Sequence, residues 1–287
     1  MAVVTETTEY VDFWNEILVP KFVRWKHILV DGLAHHSAAV FPRLEVPAGG
    51  RVVDVGCGFG DTAIELARRV GPEGEVLGID CCDAFLEFGR RDAAAAGIRN
   101  LRFVEADVQA YPFEGDFDLC FSRFGTQFFE NPVAALRNMR RSLRPGGRMV
   151  MIVWRSLEEN EVFRLPKEVV SRFLPPPGED ARTCGPGPFS MADPEVVAKQ
   201  LEIAGYEGPR FERIDALLRA GETPEEAVAF QMALGPAGEI VREAGEIAEA
   251  KRPEIEAALT EELARYRTAE GIMLDTSSWM VSARNPG

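Results

Sequence analysis

At 287 residues, with 46% hydrophobic and 27% charged side chains, the chain has room for one large domain or a domain with a cap, and its composition is that of a globular protein. Its 46 acidic against 32 basic residues leave a net charge of −14, a surface that repels phosphate backbones and anionic lipid and so argues against nucleic-acid and membrane partners. Five cysteines with no C-x-x-C pair suggest neither a disulfide framework nor a metal site, and with no secretory pattern at residues 1–6 and no apolar run of membrane length the reading is cytoplasmic.

Residues 8–46 are rich in large apolar groups. Pro20 interrupts them, and Trp25, Ile28, Leu29 and Leu33 then recur at helical spacing, which predicts two helices with a break. From Arg51 short apolar runs alternate with helical stretches. Strands are predicted at 51–55, 75–80, 101–105, 117–122 and 147–154, nearly continuous in apolar character, as parallel strands buried on both faces are. The helices between them fall at 61–70, 83–96 and 132–143. Asn131 caps the last of these and Pro132 fits its first position. Arg140, Arg141 and Arg144 complement its negative end, and Pro145, Gly146 and Gly147 stop it. Repeated β-α units of this length build a doubly wound sheet.

After Trp154 the rhythm changes. Residues 156–190 predict a helix followed by a Pro- and Gly-rich loop over the sheet edge. A helix at 194–204 and a strand at 210–218 resume the α/β pattern. Residues 223–268 are helical, broken at Gly235-Pro236, with Pro253 near the start of a third piece. Ile272–Arg284 closes the chain, with a final strand at 278–283.

The chemistry gathers on Arg51–Asp61. A β-branched run ends in Asp54 and Val55, and Gly56, Gly58 and Gly60 then alternate with Cys57 and Phe59 before a helix begins. Such a turn needs glycine because the backbone reverses sharply and a ligand comes close to it. The spacing is G-x-G-x-G, with an acid two residues ahead, where a dinucleotide fingerprint would be G-x-G-x-x-G. On its own the stretch also fits a nicotinamide or flavin site, or a purely structural turn.

The pattern resembles the first motif of the class I S-adenosylmethionine-dependent methyltransferases, and four further stretches agree with it in order. Asp80 ends the second strand, where an acid can accept from both ribose hydroxyls. Asp107 and Val108 follow the third strand and resemble the family's adenine site. Ser122 and Arg123 end the fourth strand, ahead of Phe124 and Gln127, at the junction of methyl donor and acceptor. Leu143–Ile152 matches a helix–turn–strand signature of small-molecule members. The flavour is that of the ubiquinone/menaquinone-biosynthesis methyltransferases. The Asn-Pro-Pro-Tyr motif of many nucleobase and glutamine methyltransferases is absent after strand four, since the run at Glu130 to Val133 departs from it.

The resemblance implies an α/β fold, a Rossmann-like doubly wound sheet of seven strands, mostly parallel with an antiparallel last strand, plus a helical cap. It implies an N-terminal helical lid (1–46), a cofactor-binding core (47–155, continued at 191–221), cap insertions at 156–190 and 222–270, and a last core strand (271–287). The implied cofactor is S-adenosyl-L-methionine, held by Asp54, Gly56, Cys57, Gly58, Gly60, Asp80, Cys81, Asp107, Val108, Ser122 and Arg123. Trp14, Phe124, Gln127 and Phe128 are expected in the acceptor pocket. No general base is assigned; the candidates are His27, His35, His36 and Tyr10. The vicinal Cys81 and Cys82 read as neighbours of the adenosine pocket in preference to an arsenic site. The implied reaction is methyl transfer to a small, partly hydrophobic molecule at oxygen or carbon rather than nitrogen. A homodimer is the assembly considered. The alternatives are an NAD(P)-dependent oxidoreductase, for which no Tyr-x-x-x-Lys pair is found, and a non-catalytic S-adenosylmethionine-binding protein.

Overall fold

Near-continuous apolar strands, buried on both faces, make one sheet with a core on each side. A computed structural model describes residues 8–178 and 180–287. The reading of residues 1–6 as lacking a secretory pattern, and the first seven residues of the proposed lid, lie outside those. Strands β1 (Arg51–Val55), β2 (Glu75–Asp80), β3 (Leu101–Glu105), β4 (Phe117–Arg123) and β5 (Leu143–Trp154) run parallel in the order β3-β2-β1-β4-β5. β8 (Gly271–Arg284) lies antiparallel beside β5, and β6 (Glu207–Gly221) pairs antiparallel with β8 at the edge.

The pleat sends successive side chains to opposite faces. Val52, Leu119, Phe121, Val150 and Ile152 join one core, whereas Val53, Val55, Cys120, Met149, Met151 and Val153 join the other. The first core takes α3 (Lys26–Val40) and α4 (Asp61–Val70), with α5 (Asp83–Ala95) beside them. The second takes α6 (Pro132–Ser142) and α8 (Pro194–Ala204). Asn131 accepts from the Ala134 N–H at 3.0 Å, which caps α6. Four more helices stand over the sheet: α7 (Glu161–Val170), α9 (Pro224–Ala233), α10 (Gly235–Ala244) and α11 (Glu246–Leu263). Their apolar faces continue the first core. No helix among the described residues is long and apolar enough to cross a membrane.

The sheet has eight strands where seven were expected. The extra one, β7 (Arg267–Thr268), folds back on Gly271–Ile272 of β8. Gly271 has φ 114°, and its carbonyl accepts from the Thr268 hydroxyl, so a reversal reads as one more strand. β6 and β8 also outrun their predicted spans, because each supplies the other's hydrogen bonds along a register from Glu207↔Arg284 to Gly221↔Ile272. The arm differs too. It consists of α1 (Glu9–Phe13), a π turn at Trp14–Leu18, and α2 (Val19–Arg24) ahead of α3. Pro20 sits in the first turn of α2, where its missing N–H costs nothing, and the break comes at Trp25 instead.

Candidate functional site

The carboxyl ends of β1, β2, β4 and β5 open into one cavity of about 320 Å³, with the arm and the cap as its other walls. Open α/β sheets place ligands at this end of their strands, and the size is that of a small-molecule site.

The turn after β1 forms its base. Gly58 has φ 51°, and a methyl group built on it would meet nothing within 4 Å, so its backbone faces open space. Gly60, at φ 81°, turns the other way: a methyl group there would lie 2.7 Å from Phe103 and 3.0 Å from the Gly89 backbone. Two glycines of one motif therefore do different work, the first opening a cradle and the second seating α4 and α5 on the sheet. Gly56 approaches the backbone of Gly125, with 3.0 Å from its added methyl to the Gly125 Cα.

Asp80 crosses from β2 to this turn. Its carboxylate accepts from the Gly58 N–H at 2.9 Å and the Cys82 N–H at 3.0 Å. A carboxylate has about four acceptor sites, so roughly two remain for the cavity. Burial pushes its pKa up to about 6, against the pull of the backbone donors. A partly desolvated acid without a cation partner among the described residues suits a ligand that offers neutral hydroxyls, as the ribose of S-adenosylmethionine does. Asp107 is more occupied than its expected role requires, since it accepts from the backbone and side-chain nitrogens of Gln109 at 2.8, 3.1 and 3.3 Å. Val108 lines the cavity beside it.

At the end of β4 the backbone is strained. Phe124 has φ 59°, the one non-glycine residue at positive φ among those described. The strain turns its ring onto Trp154, with centroids 3.9 Å apart and planes at 18°. Arg123, on the cavity wall, donates to Ser37 at 2.9 Å and pairs with Asp61 at 2.8 Å. Gln127 accepts from the Trp154 N–H at 3.2 Å.

The arm closes the top. Tyr10, Trp14 and Leu18 reach the wall, and Trp14 meets Phe22 and Phe128 edge to face at 5.4 and 5.0 Å. Behind them Phe13 lies under the guanidinium groups of Arg182 and Arg242, at 5.8 and 5.1 Å. Arg182 also pairs with Glu16, and Arg242 with Glu239. Phe163, Phe230, Gln231 and Leu234 complete the cap wall.

Of the predicted residues, the cavity gathers Gly56, Cys57, Gly58, Asp80, Cys81, Asp107, Val108, Arg123, Tyr10, Trp14, Phe124, Gln127 and Phe128. It leaves out the others. Asp54 is buried on the α4 side of β1, where it accepts from the Thr62 hydroxyl at 2.6 Å, and burial raises its pKa to about 7. Gly60 faces Phe103. The Ser122 hydroxyl donates to the Val55 carbonyl at 2.7 Å. His27 pairs with Glu226 on the surface, and His35 is not on the wall. His36 is buried between the Thr276 and Ser278 hydroxyls, at 2.8 Å each, and burial lowers its pKa to about 4. Phe124 and Trp154 stand edge-on to its ring at 5.4 and 5.1 Å, so it acts as a neutral bracket beneath them.

Asp80, Cys81 and Cys82 bring ligand-type atoms within 4.8 Å of one another. The Cys82 thiol is pushed far above its usual range, first by its contact with the Cys81 sulfur at 3.8 Å and then by burial, so it stays protonated and is a poor ligand. Sequence reasoning missed Asp61, Gln109, Gly125, Trp154, Phe163 and Gln231. Asp61 had a signal, as the first residue after the glycine turn. The cap residues had none, because nothing in a helix sequence says which cavity it covers.

Known proteins share this sequence pattern and fold. A family model for a methyltransferase domain matches residues 52–147, which run from β1 into β5. A ubiquinone/menaquinone biosynthesis C-methyltransferase of Idiomarina loihiensis is 33% identical over 173 residues, 56% of this chain and 68% of that one. A demethylmenaquinone methyltransferase of Staphylococcus aureus is 36% identical over 176 residues, 58% of this chain and 72% of that one. For some other relatives of the same two kinds the matched share falls to about half of their length, 54% and 49%. A crystal structure of a Haemonchus contortus phosphoethanolamine N-methyltransferase, in complex with phosphomonomethylethanolamine and S-adenosylhomocysteine, superposes with a TM-score of 0.60 at 16% identity, over 99% of this chain and 62% of that one. At that identity the likeness is one of fold.

Proposed function

This chain belongs to the class I S-adenosylmethionine-dependent methyltransferases of the ubiquinone/menaquinone-biosynthesis type, and from that premise we propose that it methylates a ring carbon of a small, flat, hydroxylated aromatic acceptor. One observation carries the reading. The cradle at Gly58 and Asp80 opens into the same cavity that the arm and cap wall with aromatic rings. An apolar cavity of this size suits a small apolar molecule better than a protein or RNA strand. The names of the relatives argue for carbon as the methylated atom. A phosphorylated amine would need cations on the wall, yet Arg123, the one cation there among the described residues, is engaged by Asp61 and Ser37.

Bound S-adenosylmethionine supplies an electrophilic methyl group, which passes in line to an electron-rich carbon as the sulfonium becomes a neutral thioether. The ring carbon provides the electron pair, and its proton then leaves to solvent as the methylated ring regains aromaticity. In this reading Asp80 holds the ribose hydroxyls, the 56–60 turn carries the amino-acid portion, and Asp107 and Val108 border the adenine. Asp54, Gly60 and Ser122 position the turn from behind. The arm and cap exclude water and align the acceptor, which is where such transfers gain most of their rate. Acidic charge and five unpaired thiols support a cytoplasmic setting without nucleic-acid or membrane partners, and the oligomeric state is a separate measurement.

The test is methyl transfer from labelled S-adenosylmethionine to three probes: a dihydroxynaphthalene, phosphoethanolamine and bulk cell protein. Label on a ring carbon, seen as a new aryl methyl resonance, supports the reading. Label on nitrogen or protein alone overturns it.

A further inference from the structure

We propose that Gln231 reads an oxygen atom of the acceptor, hydrogen-bonding a ring hydroxyl or carbonyl and so fixing which ring position meets the methyl donor. The inference rests on the acceptor class proposed above. Gln231 lies on α9, lines the cavity, and is 3% exposed. Its side-chain nitrogen is buried and has no hydrogen-bond partner among the described residues. Phe230, Leu234 and Phe163, which line the same cavity, have nothing polar to offer.

A leucine of similar volume would fill this position without leaving a polar group unpaired, so folding alone gives no reason for an amide here. Gln127, the other buried glutamine on the wall, differs in this respect because it accepts from the Trp154 backbone. Glu239, another polar group of the cap wall, is held by Arg242. Among the described residues, Gln231 is thus a polar cap residue on this wall with hydrogen-bonding capacity to spare. An amide can both donate and accept, so it can serve a hydroxyl or a carbonyl, and its neutrality suits neither a phosphate nor an ammonium.

The test is Gln231→Leu, with 1-naphthol and naphthalene as probes differing in one oxygen. Each is titrated calorimetrically into wild type and variant, both saturated with S-adenosylhomocysteine so that no turnover intervenes. Wild type should prefer 1-naphthol by roughly tenfold more than the variant does, the yield of one neutral hydrogen bond. Comparing the two preferences cancels the difference in solubility between the probes. Thermal stability of the variant should hold or rise, since an unpaired buried amide has gone. An unchanged preference overturns the assignment and leaves the acceptor class standing. A fall of several degrees in Tm with no change in preference assigns Gln231 a structural role and overturns it too. Failure of wild type to bind either probe sinks the acceptor class and this inference with it.

Discussion

Replacing Asp80 by asparagine tests the proposed ribose site most directly. The carboxylate accepts from two backbone N–H groups, those of Gly58 and Cys82, and would accept from two ribose hydroxyls. An asparagine presents one oxygen. Its amino group must face either a backbone donor or a hydroxyl, so at least one contact is lost and the charge that strengthened the others is gone. Hydrogen bonds to charged groups contribute about 1.5–3 kcal/mol each. Allowing for partial repair by hydroxyl rotation, the loss in cofactor binding is about 2–4 kcal/mol, or roughly 30- to 700-fold in Kd. Calorimetry with S-adenosylhomocysteine measures it, and circular dichroism checks that the sheet is intact. A pH series adds a second signature. Because burial holds Asp80 near a pKa of about 6, wild-type affinity should fall as pH drops below that value, with proton uptake on ligand release. Asp80→Asn should show no such dependence. A variant that binds within about threefold of wild type, or a wild type whose affinity is flat from pH 8 to 5, would refute the reasoning.

Gly58→Ala and Gly60→Ala should separate cradle from packing. The first adds a methyl group to open space and should weaken cofactor binding with a stability cost of about 1 kcal/mol from the left-handed backbone; the second forces a contact of 2.7 Å on Phe103 and should cost about 2–4 kcal/mol by denaturant titration. The fold should also carry two opposed proton linkages. His36 has its pKa lowered to about 4 from 6.5, so its contribution is full above pH 6.5 and is lost as pH falls toward 4, by about 3 kcal/mol at most. The difference in unfolding free energy between wild type and His36→Gln should shrink over that window, and a difference independent of pH would contradict the buried bracket. Asp54 runs the other way. Its pKa rises to about 7 from 3.8, so the folded state keeps a proton that the unfolded chain gives up, and stability is lost as pH rises from about 4 to about 7. Asp54→Asn should flatten that slope and be relatively more stable at pH 8 than at pH 4.

The half of the cavity proposed to hold the methyl donor was legible because its logic is local. A strand, a glycine turn and a helix start are adjacent in sequence, and their spacing alone places Gly58 and Asp80 at strand ends. Repeated β-α units gave five parallel strands for the same reason, since each was bounded by its own turn signals. What sequence could not give depends on contacts between distant parts. Gly56 and Gly60 read as one motif with Gly58, yet what stands opposite them is Gly125, Phe103 and Gly89, supplied by other elements. Phe124 looks like any aromatic after a strand until its positive φ and its stack on Trp154 are seen. The histidines were natural candidates by residue type, but burial and the hydroxyls of Thr276 and Ser278, some 240 residues away, made His36 a neutral bracket. The half proposed for the acceptor is lined by residues of α1, α7 and α9, which meet only once the chain has closed. A helix sequence records which face is apolar, and only packing decides whether that face meets a core, as Ala227 does, or a cavity, as Phe230 and Gln231 do.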